Sequence, residues 1–343
     1  MSRPWTFVVP PPDAFPSGGN LYNAHLLAAL ASLGHPVTVR RWEDGVAAAG
    51  IGWYDSLYLP HLLAQPPAAD VPSLLVVHHL PSMELHGAAQ AAYVQTQEAP
   101  VLGRMAGFLA TSTFTRDYLH RWGYGQRPVL VVPPALIRQP AAARSAGGPP
   151  QVLMVANLIP RKGILALLKT LADWPGPLPS FVLMIVGSDA LDPAYARACR
   201  ALVDASAPLR ARVRFTGALA PAAVHAHYAA ATVFVSAAEM ETFGMAVQEA
   251  LAYGLPVLAR AGGYLETLLA GRGHVFASLP DLVASLLASL ARPETCRRTP
   301  VVPATYTWQH AAVALLDQFA QHFPSFSSPF SPDVRTQAAP GLL

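Results

Sequence analysis

The second half of the chain contains two glutamates whose spacing suits a ligand with polar groups at both ends. Glu241 and Glu249 stand in EMETFGMAVQEALAYGLPVLA, with seven residues between them. Gly254 and Pro256 predict that a helix runs from about residue 244 to 253, which places Glu249 on the helix and Glu241 in the loop before it. Eight residues of ideal helix span about 12 Å. Two carboxylates at that separation can accept hydrogen bonds from a nucleotide-sugar, one from the ribose and one from the hexose.

The start of the same helix suits a phosphate group, because its free N–H groups and positive potential attract anions. Glu249 is expected on a different face from the apolar side chains of this helix. Those side chains are Ala246, Val247, Ala250 and Leu251.

A phosphate site also needs positive charge, and Arg161 and Lys162 supply it between a predicted strand and the helix that follows. These two side chains could neutralise a diphosphate in the same crevice. Lys162 and Lys169 are the two lysines of the chain, and nearly all of its basic residues are arginines. Taken alone, such a pair is more often a solvated helix start.

Alternating apolar runs and helical patterns in the first half predict a parallel sheet that helices cover on both faces. Residues 18–34 read as the first helix. The predicted strands are residues 6–10, 35–42, 56–60, 73–79, 107–112 and 129–134.

The pattern restarts after residues 133–151, which lose periodicity and are interpreted as a linker. A second doubly wound sheet follows, and in such sheets ligands bind outside the carboxyl ends of the strands. Its predicted strands are residues 152–157, 181–187, 213–217, 232–237 and 256–260.

This pattern predicts two domains, residues 1–140 and 150–306, in an α/β protein. An amphipathic helix is predicted at 307–323, and the Pro- and Ser-rich residues 324–343 are expected to be disordered. The length of 343 residues agrees with two domains of ordinary size.

Composition excludes several classes of function. The chain is 52% hydrophobic without an apolar run of membrane-spanning length, so a cytoplasmic protein with no transmembrane segment is expected. The net charge is +3 and the arginines are scattered, so the sequence lacks the clustered basic patch that is typical of nucleic-acid-binding proteins. Cys199 and Cys296 lack metal-ligand spacing, and His225 and His227 point apart on one helix, so no metal site is expected.

Several segments together carry a resemblance to a known family. They are ANLIPRKGILALL, VLMIVG, VRFTGAL, ETFGMAVQEALAYGLPVLA, ARAGGYLET, the N-terminal PSGGNLYNAHLLAALASLGHPVTV and TYTWQHAAVALL. In this order they resemble the retaining glycosyltransferases of family 4. The resemblance implies the GT-B fold, in which two doubly wound Rossmann-like domains face each other across a cleft. It also implies that the C-terminal helix returns to the first domain.

The resemblance implies roles for the charged residues named above. Glu249 matches the acidic residue that binds the ribose of the nucleotide. Glu241 matches the acidic residue that lies near the donor sugar hydroxyls, and Lys162 matches the basic residue that contacts the diphosphate. The family has Gly-Arg where this chain has Ala156-Asn157. Arg161 is a candidate replacement for that arginine.

Further candidates come from both halves. The resemblance implies that Phe243 and Gly244 bring backbone amides to the phosphate and that Gly217 to Leu219 lie beside the base. Gly18 and Gly19 lie between a strand and a helix, where a backbone without side chains can approach a phosphate or sugar, although a simple turn remains an alternative. His78 or the adjacent His79 ends a strand; in the family a histidine there lies near the donor sugar, and the match favours His78. A packed or capping histidine is the alternative.

The implied reaction moves a sugar from a nucleoside diphosphate to an acceptor hydroxyl with retention, by same-face attack. Fixed cations and amides can stabilise the charge on the leaving diphosphate, so no metal or other cofactor is required. The absence of an Asp-x-Asp motif agrees with this expectation. UDP-sugars are the first choice of donor, with GDP- or ADP-sugars as alternatives, and the acceptor is not indicated.

Two other functions compete with this interpretation. A nicotinamide dehydrogenase would also use Rossmann-like domains, but no GxGxxG follows a strand here. A non-catalytic sugar-nucleotide or carbohydrate-binding relative of the same fold is harder to exclude, because Asn157 stands where the family has arginine.

Overall fold

The computed structural model describes residues 4–11, 17–47, 49–138, 148–292, 296, 298 and 305–326. The chain divides into two compact units, and each is described by itself. The first comprises Met1–Ala14, Gly18–Ile137 and Thr305–Leu343, and the second comprises Phe15–Ser17 and Arg138–Ala304. Residues 139–147 of the predicted linker and 327–343 of the predicted tail lie outside the described residues.

The first unit contains a six-stranded sheet in which all neighbouring strands are parallel. The strands are β1 (Trp5–Val8), β2 (Val37–Arg40), β3 (Ile51–Asp55), β4 (Ser73–Val77), β5 (Gly107–Ala110) and β6 (Val129–Val131). The helices are α1 (Gly18–Ser32), α2 (Leu59–Ala64), α3 (Gly87–Tyr93), α4 (Ala99–Leu102) and α5 (Thr113–Arg121). The strand order is β2-β1-β3-β4-β5-β6. Aromatic side chains fill its core, where Phe7 stacks on Trp53 with ring centroids 5.3 Å apart.

The second unit contains another six-stranded parallel sheet. The strands are β7 (Gln151–Val155), β8 (Val182–Val186), β9 (Val213–Gly217), β10 (Val233–Ser236), β11 (Val257–Arg260) and β12 (His274–Phe276). The helices are α6 (Ile164–Ala172), α7 (Pro193–Ala205), α8 (Ala207–Arg212), α9 (Pro221–Ala230), α10 (Met245–Ala252), α11 (Leu265–Leu269) and α12 (Leu279–Ala291). The strand order is β12-β11-β10-β7-β8-β9.

Both faces of the second sheet are buried, as the continuous apolar runs predict. Val152 and Met154 of β7 belong to one core cluster, and Leu153 between them belongs to the other. Because successive side chains of a strand point to opposite faces, the two clusters lie on opposite sides of the sheet. The prediction of two doubly wound α/β sheets is confirmed.

The C-terminal helix, α13 (Trp308–His322), belongs to the first unit. The Trp308 ring stacks on His25 of α1 with centroids 5.3 Å apart. The Gln318 amide donates to the Val131 carbonyl oxygen at 3.0 Å, and its own oxygen accepts from the Val131 N–H at 2.9 Å. These contacts attach α13 to α1 and β6.

One prediction of local structure was wrong, and one strand was missed. No strand forms at the predicted residues 56–60. Ser56–Tyr58 is a 3-10 turn, and α2 follows it. The strand of this region is β3, Ile51–Asp55, which ends just before the predicted one. Asp55 accepts a hydrogen bond from the Leu57 N–H and Pro60 stands in the first turn of α2, so both residues begin helical structure rather than extend a strand. The short strand β12 was not predicted.

No helix in the described part of the chain is long and apolar enough to cross a membrane.

Candidate functional site

The connections of the second sheet reverse direction between β7 and β10. These strands are neighbours, and the chain builds one half of the sheet through β8 and β9 and the other through β11 and β12. In doubly wound sheets, ligands bind outside the carboxyl ends of the two strands at this reversal, which is called the switch point. The loops after Val155 and Ser236 therefore frame the candidate site.

The loop after β7 carries Arg161 and Lys162 in a 3-10 turn, Pro160–Lys162. Gly163 ends the turn with φ at +68°, and a Cβ added there would lie 2.0 Å from the Ala237 carbonyl oxygen. The Glu239 N–H also donates to the Arg161 carbonyl oxygen at 2.9 Å. The two loops of the switch point thus touch along their backbones, and only glycine allows this approach at position 163.

Lys162 and Arg161 meet Glu241 at this point. The Lys162 Nζ lies 2.5 Å from the Glu241 Oε1, and the Arg161 Nη1 lies 3.7 Å from the Oε2 of the same carboxylate. All three side chains are between 14% and 22% exposed. Two cations around one carboxylate leave a partly buried site with a net positive charge, which favours a bound anion.

Backbone contacts hold Glu241 from its other side. It forms an isolated parallel bridge with Gly263, and the Tyr264 N–H donates to its carbonyl oxygen at 2.7 Å. Gly263 has φ at +66°, and a Cβ there would lie 2.1 Å from the Glu241 carbonyl oxygen. The loop after β11 therefore fixes the segment that carries the carboxylate.

Phe243 and Gly244 continue from Glu241 into α10. Phe243 is buried and stacks on Tyr264 with ring centroids 5.5 Å apart. Gly244 is the N-cap of α10 and has no side chain to cap the helix. The N–H groups of a helix's first turn lack partners within the helix, so a phosphate contact at this end stays a prediction.

Glu249 lies on α10, as predicted, but its side chain is buried rather than open to solvent. It is 9% exposed, and Val247 and Ala250 of the same helix are buried as well. Burial raises the pKa of the Glu249 carboxyl from 4.5 to about 7, and a hydrogen bond with the Tyr228 hydroxyl opposes this rise. Helical periodicity alone cannot reveal that a polar partner, Tyr228 of α9, lies beneath the helix.

Asn157 occupies the family's arginine position and has a local structural contact. Its Oδ1 accepts a hydrogen bond from the Ser188 N–H at 3.0 Å, and the Leu158 N–H donates to the Ser188 carbonyl oxygen at 2.8 Å. The side chain therefore connects the loops after β7 and β8. Among the candidates, Arg161 is the second cation that the structure places beside Glu241.

Gly217 and Leu219 lie apart from this cluster. Gly217 ends β9, the edge strand two positions from β7, and its carbonyl oxygen accepts from the Gly187 N–H at 3.1 Å. Leu219 is partly buried against an apolar core cluster. These contacts are structural, and they leave a role beside a nucleotide base as a prediction.

His225, one of the two histidines considered above for a metal site, has a structural contact. Its Nδ1 lies 3.0 Å from the Tyr253 hydroxyl. Across the described residues, no group of three or more His, Cys, Asp or Glu side chains is placed to hold a metal ion.

In the first unit, His78 follows β4 and lies against α1. A Cβ added at Gly19 would come within 3.0 Å of the His78 ring, so the missing side chain makes room for the imidazole. Gly18 is the first residue of α1. Gly19 therefore has a packing role, and a ligand contact of Gly18 and Gly19 stays a prediction.

Sequence reasoning missed the residues around His78. The His78 Nε2 lies 2.9 Å from the Asn23 Oδ1 and 3.5 Å from the Asp55 Oδ2, and the Asn23 Nδ2 donates to the same Asp55 oxygen at 2.6 Å. Asp55 ends β3, which neighbours β1 where the connections of this sheet reverse. Placing the strand at 51–55 would have indicated Asp55 as a polar residue at a strand end.

A known family model matches most of the second unit. Residues 137–297 match the family model described as Glycosyl transferases group 1. A GDP-mannose-dependent alpha-mannosyltransferase of Mycolicibacterium smegmatis is 33% identical over 198 residues, which cover 55% of this chain and 48% of the relative. The chain spans about half the length of the curated relatives that it matches first.

Solved structures resemble the whole chain at low identity. Sucrose-phosphate synthase from Thermosynechococcus elongatus has a TM-score of 0.68 at 20% identity and covers 92% of this chain and 95% of its own. HepE of Anabaena in complex with UDP-glucose has a TM-score of 0.67 at 16% identity, with coverage of 94% and 95%. At these identities the likeness shows the fold, which is GT-B, and not the activity.

Proposed function

We propose that the protein is a glycosyltransferase, because residues 137–297 match the Glycosyl transferases group 1 model. It moves a hexosyl group from a nucleoside-diphosphate sugar to an acceptor hydroxyl, with retention at the anomeric carbon and without a metal ion. The observation that carries the proposal is the contact of Lys162 and Arg161 with Glu241 at the switch point of the second sheet.

The two cations can stabilise the negative charge that develops on the leaving diphosphate. As the bond to the sugar breaks, negative charge grows on the departing diphosphate, and preorganised positive groups stabilise that charge. Glu241 holds Lys162 in position before any donor binds. Arg161 takes the place of the arginine that the family has at the position of Asn157.

The remaining roles concern the groups on either side of the diphosphate. Glu241 accepts hydrogen bonds from the hydroxyls of the transferred sugar, and Glu249 accepts from the ribose. Phe243 and Gly244 bring backbone N–H groups to the phosphate at the start of α10. For these roles Glu249 must present a carboxylate oxygen, so its buried position with a pKa of about 7 makes nucleotide binding dependent on pH.

The other candidates complete the proposal. Gly217 and Leu219 lie beside the nucleotide base, and in the first unit His78, Gly18 and Gly19 contact the substrate. Relatives name two donors, GDP-mannose for the mannosyltransferase and UDP-glucose for the HepE complex. We propose a UDP-sugar first, with GDP- and ADP-sugars as alternatives, and no cofactor.

A donor screen tests the proposal. UDP-, GDP- and ADP-sugars are incubated with the protein, and slow hydrolysis is followed by proton NMR, which also gives the anomer that is released first. We expect one donor class to be hydrolysed with the anomeric configuration of the donor retained. Release of the opposite anomer would contradict retention. Binding of a nucleotide-sugar without turnover across a panel of acceptors would favour the non-catalytic alternative.

Matched variants connect this activity to the site. Lys162→Ala should lower hydrolysis roughly 10²- to 10³-fold, the effect of removing one preorganised donor to developing charge. Lys169→Ala is the control, because Lys169 is the other lysine of the chain and lies exposed on α6. Equal rates for the two variants would contradict the assignment of Lys162.

A further inference from the structure

We propose that Asp55 and Asn23 are positioning residues that set the tautomer of His78, with the proton on Nε2 and the lone pair on Nδ1. The inference rests on the proposed function only in assigning His78 to the substrate. It concerns two residues to which neither the sequence motifs nor the comparisons give a role.

The order of hydrogen bonds fixes each donor and acceptor in turn. The two Asp55 oxygens accept from the Leu57 N–H at 2.8 Å and from the Asn23 side chain at 2.6 Å. A carboxylate has no proton to donate, so the Asn23 group that faces it must be the NH₂. The Asn23 oxygen then faces the His78 Nε2 at 2.9 Å and can only accept, which places the imidazole proton on Nε2.

The surroundings keep this arrangement rigid. Asp55 is fully buried, Asn23 is 4% exposed, and the His78 side chain is 10% exposed. Gly19 lies against one side of the imidazole, and Tyr22 contacts it edge-on at a centroid distance of 5.2 Å. Buried hydrogen bonds with every partner satisfied favour one geometry over its alternatives.

The His78 imidazole must be neutral for its tautomer to matter, and its surroundings favour the neutral form. Burial lowers the pKa of the His78 imidazole, and the nearby Asp55 carboxylate opposes the change. A neutral imidazole has one donor and one acceptor nitrogen, and the partner of one nitrogen determines the function of the other. With Nε2 donating to Asn23, Nδ1 is the nitrogen that carries the lone pair.

The location of the network supports a role near substrate. Asp55 ends β3, His78 follows β4, and Asn23 lies on α1, the helix that follows β1. β1 and β3 are neighbours where the connections of the first sheet reverse, which is the place where open α/β sheets bind ligands.

Exchanging the two partners of the network gives a sharp test. In Asp55→Asn, the new amide must donate to Asn23, whose side chain then rotates and donates to the His78 Nε2. The proton of His78 moves to Nδ1. In the double variant Asn23→Asp/Asp55→Asn, the new carboxylate at position 23 accepts from the new amide at position 55 and again from the His78 Nε2, so the original tautomer returns.

The tautomer is read directly by nitrogen-15 NMR of labelled histidine, with His78→Gln used to assign the signal and His225 as an internal reference. We expect the Nε2–H form in the native protein, the Nδ1–H form in Asp55→Asn and the Nε2–H form in the double variant. An unchanged tautomer in Asp55→Asn, or the Nδ1–H form in the native protein, would overturn the proposal. These spectra need no donor, so they remain decisive if the proposed transfer activity fails.

Turnover measured on the same variants tests the consequence. A wrong histidine tautomer can lower kcat by about 10⁴-fold in a well-studied triad, and we expect a fall of roughly 10²-fold or more in Asp55→Asn. The double variant should recover to within about tenfold of the native kcat, and nucleotide affinity at the second unit should not change. Loss of turnover in both variants despite the restored tautomer, or full turnover in Asp55→Asn, would show that the tautomer does not control transfer.

Discussion

The Nζ atom of Lys162 lies 2.5 Å from the Oε1 atom of Glu241, although 79 positions separate the two residues in the chain. The contact exists because β7 and β10 are adjacent in the sheet and both loops leave their carboxyl ends. Gly163 lets the two loops touch at the Ala237 carbonyl. The ammonium group is therefore already positioned for the diphosphate contact that we propose.

Glu241→Gln should separate nucleotide binding from transfer. In the proposed function the carboxylate competes with a diphosphate for Lys162, so its removal should tighten binding of the free nucleoside diphosphate by roughly 2- to 5-fold, the size of one partly exposed ion pair. Transfer should fall by about 10²-fold, because the lysine loses its anchor and the sugar loses an acceptor. Calorimetric titration and initial rates measure the two effects.

Glu239→Gln is the matched control for this experiment. Glu239 lies two residues away, and its exposed side chain pairs with Arg260 at 3.0 Å. Both parameters should stay near the native values in that variant. A fall in nucleotide affinity in Glu241→Gln would contradict the competition between carboxylate and diphosphate.

Glu249→Gln should change the pH dependence of stability. The folded protein holds the Glu249 proton up to a pKa of about 7, whereas the ordinary value is 4.5. The folded state therefore binds more protons than the unfolded state between these values, and its stability falls as pH rises through this window. The full difference is on the order of 3 kcal/mol.

Glutamine resembles the protonated carboxyl at every pH. Thermal unfolding should therefore show Glu249→Gln more stable than the native protein at pH 8, with the difference shrinking towards pH 5. The variant should also lose nucleotide affinity at pH 8, because the ribose loses a carboxylate acceptor. A stability difference that is the same at pH 5 and pH 8 would contradict the buried, shifted carboxyl.

Gly163→Ala should disturb the site through the backbone. Both Gly163 and Gly271 have positive φ angles, +68° and +69°, but a Cβ at Gly271 meets nothing within 4 Å. Gly271→Ala should therefore cost only the left-handed strain of about 1 kcal/mol. Gly163→Ala adds a collision with the Ala237 carbonyl and should cost roughly 2 kcal/mol more.

Thermal unfolding and donor hydrolysis distinguish these two variants. Gly271→Ala should keep native activity, whereas Gly163→Ala should lose activity because the two loops separate. Equal stability and equal activity in both variants would show that the approach of the loops is unimportant.

Arg161→Ala tests whether this arginine replaces the one that the family has at the position of Asn157. The Arg161 guanidinium lies 3.7 Å from the Glu241 carboxylate, so its loss should weaken nucleoside diphosphate binding by roughly 2- to 5-fold. Arg116→Ala is the control, since Arg116 forms an exposed ion pair with Asp117 in the first unit. Unchanged affinity in Arg161→Ala would leave Lys162 as the main cation of the site.

The sequence was sufficient to predict the two sheets and the placement of Lys162 and Glu241 at one edge of the second sheet, but not the contact between them. Apolar runs of strand length, alternating with helical patterns, indicate parallel sheets, and residues that follow neighbouring strands must lie at one edge. The pairing of Asn157 with Ser188 could not be predicted, because it depends on where two loops meet. The same holds for Tyr228 beneath Glu249.

The error at residues 56–60 has a clear physical cause. SLYLP has the apolar composition of a strand, but Pro60 lies in the first turn of α2 and Asp55 caps the turn before it. With the strand misplaced, Asp55 did not stand out as a residue at a strand end. The network of Asp55, Asn23 and His78 was therefore found only in three dimensions.

Titration calorimetry of nucleoside diphosphates tests the central claim most directly. In this account Lys162, positioned by Glu241 at the switch point of the second sheet, binds the diphosphate of the donor. UDP, GDP and ADP are titrated into the native protein, Lys162→Ala and Lys169→Ala. We predict that at least one nucleotide binds the native protein and Lys169→Ala equally, and binds Lys162→Ala at least tenfold more weakly. Equal affinity for all three proteins, or no binding of any nucleotide to the native protein, would contradict the account.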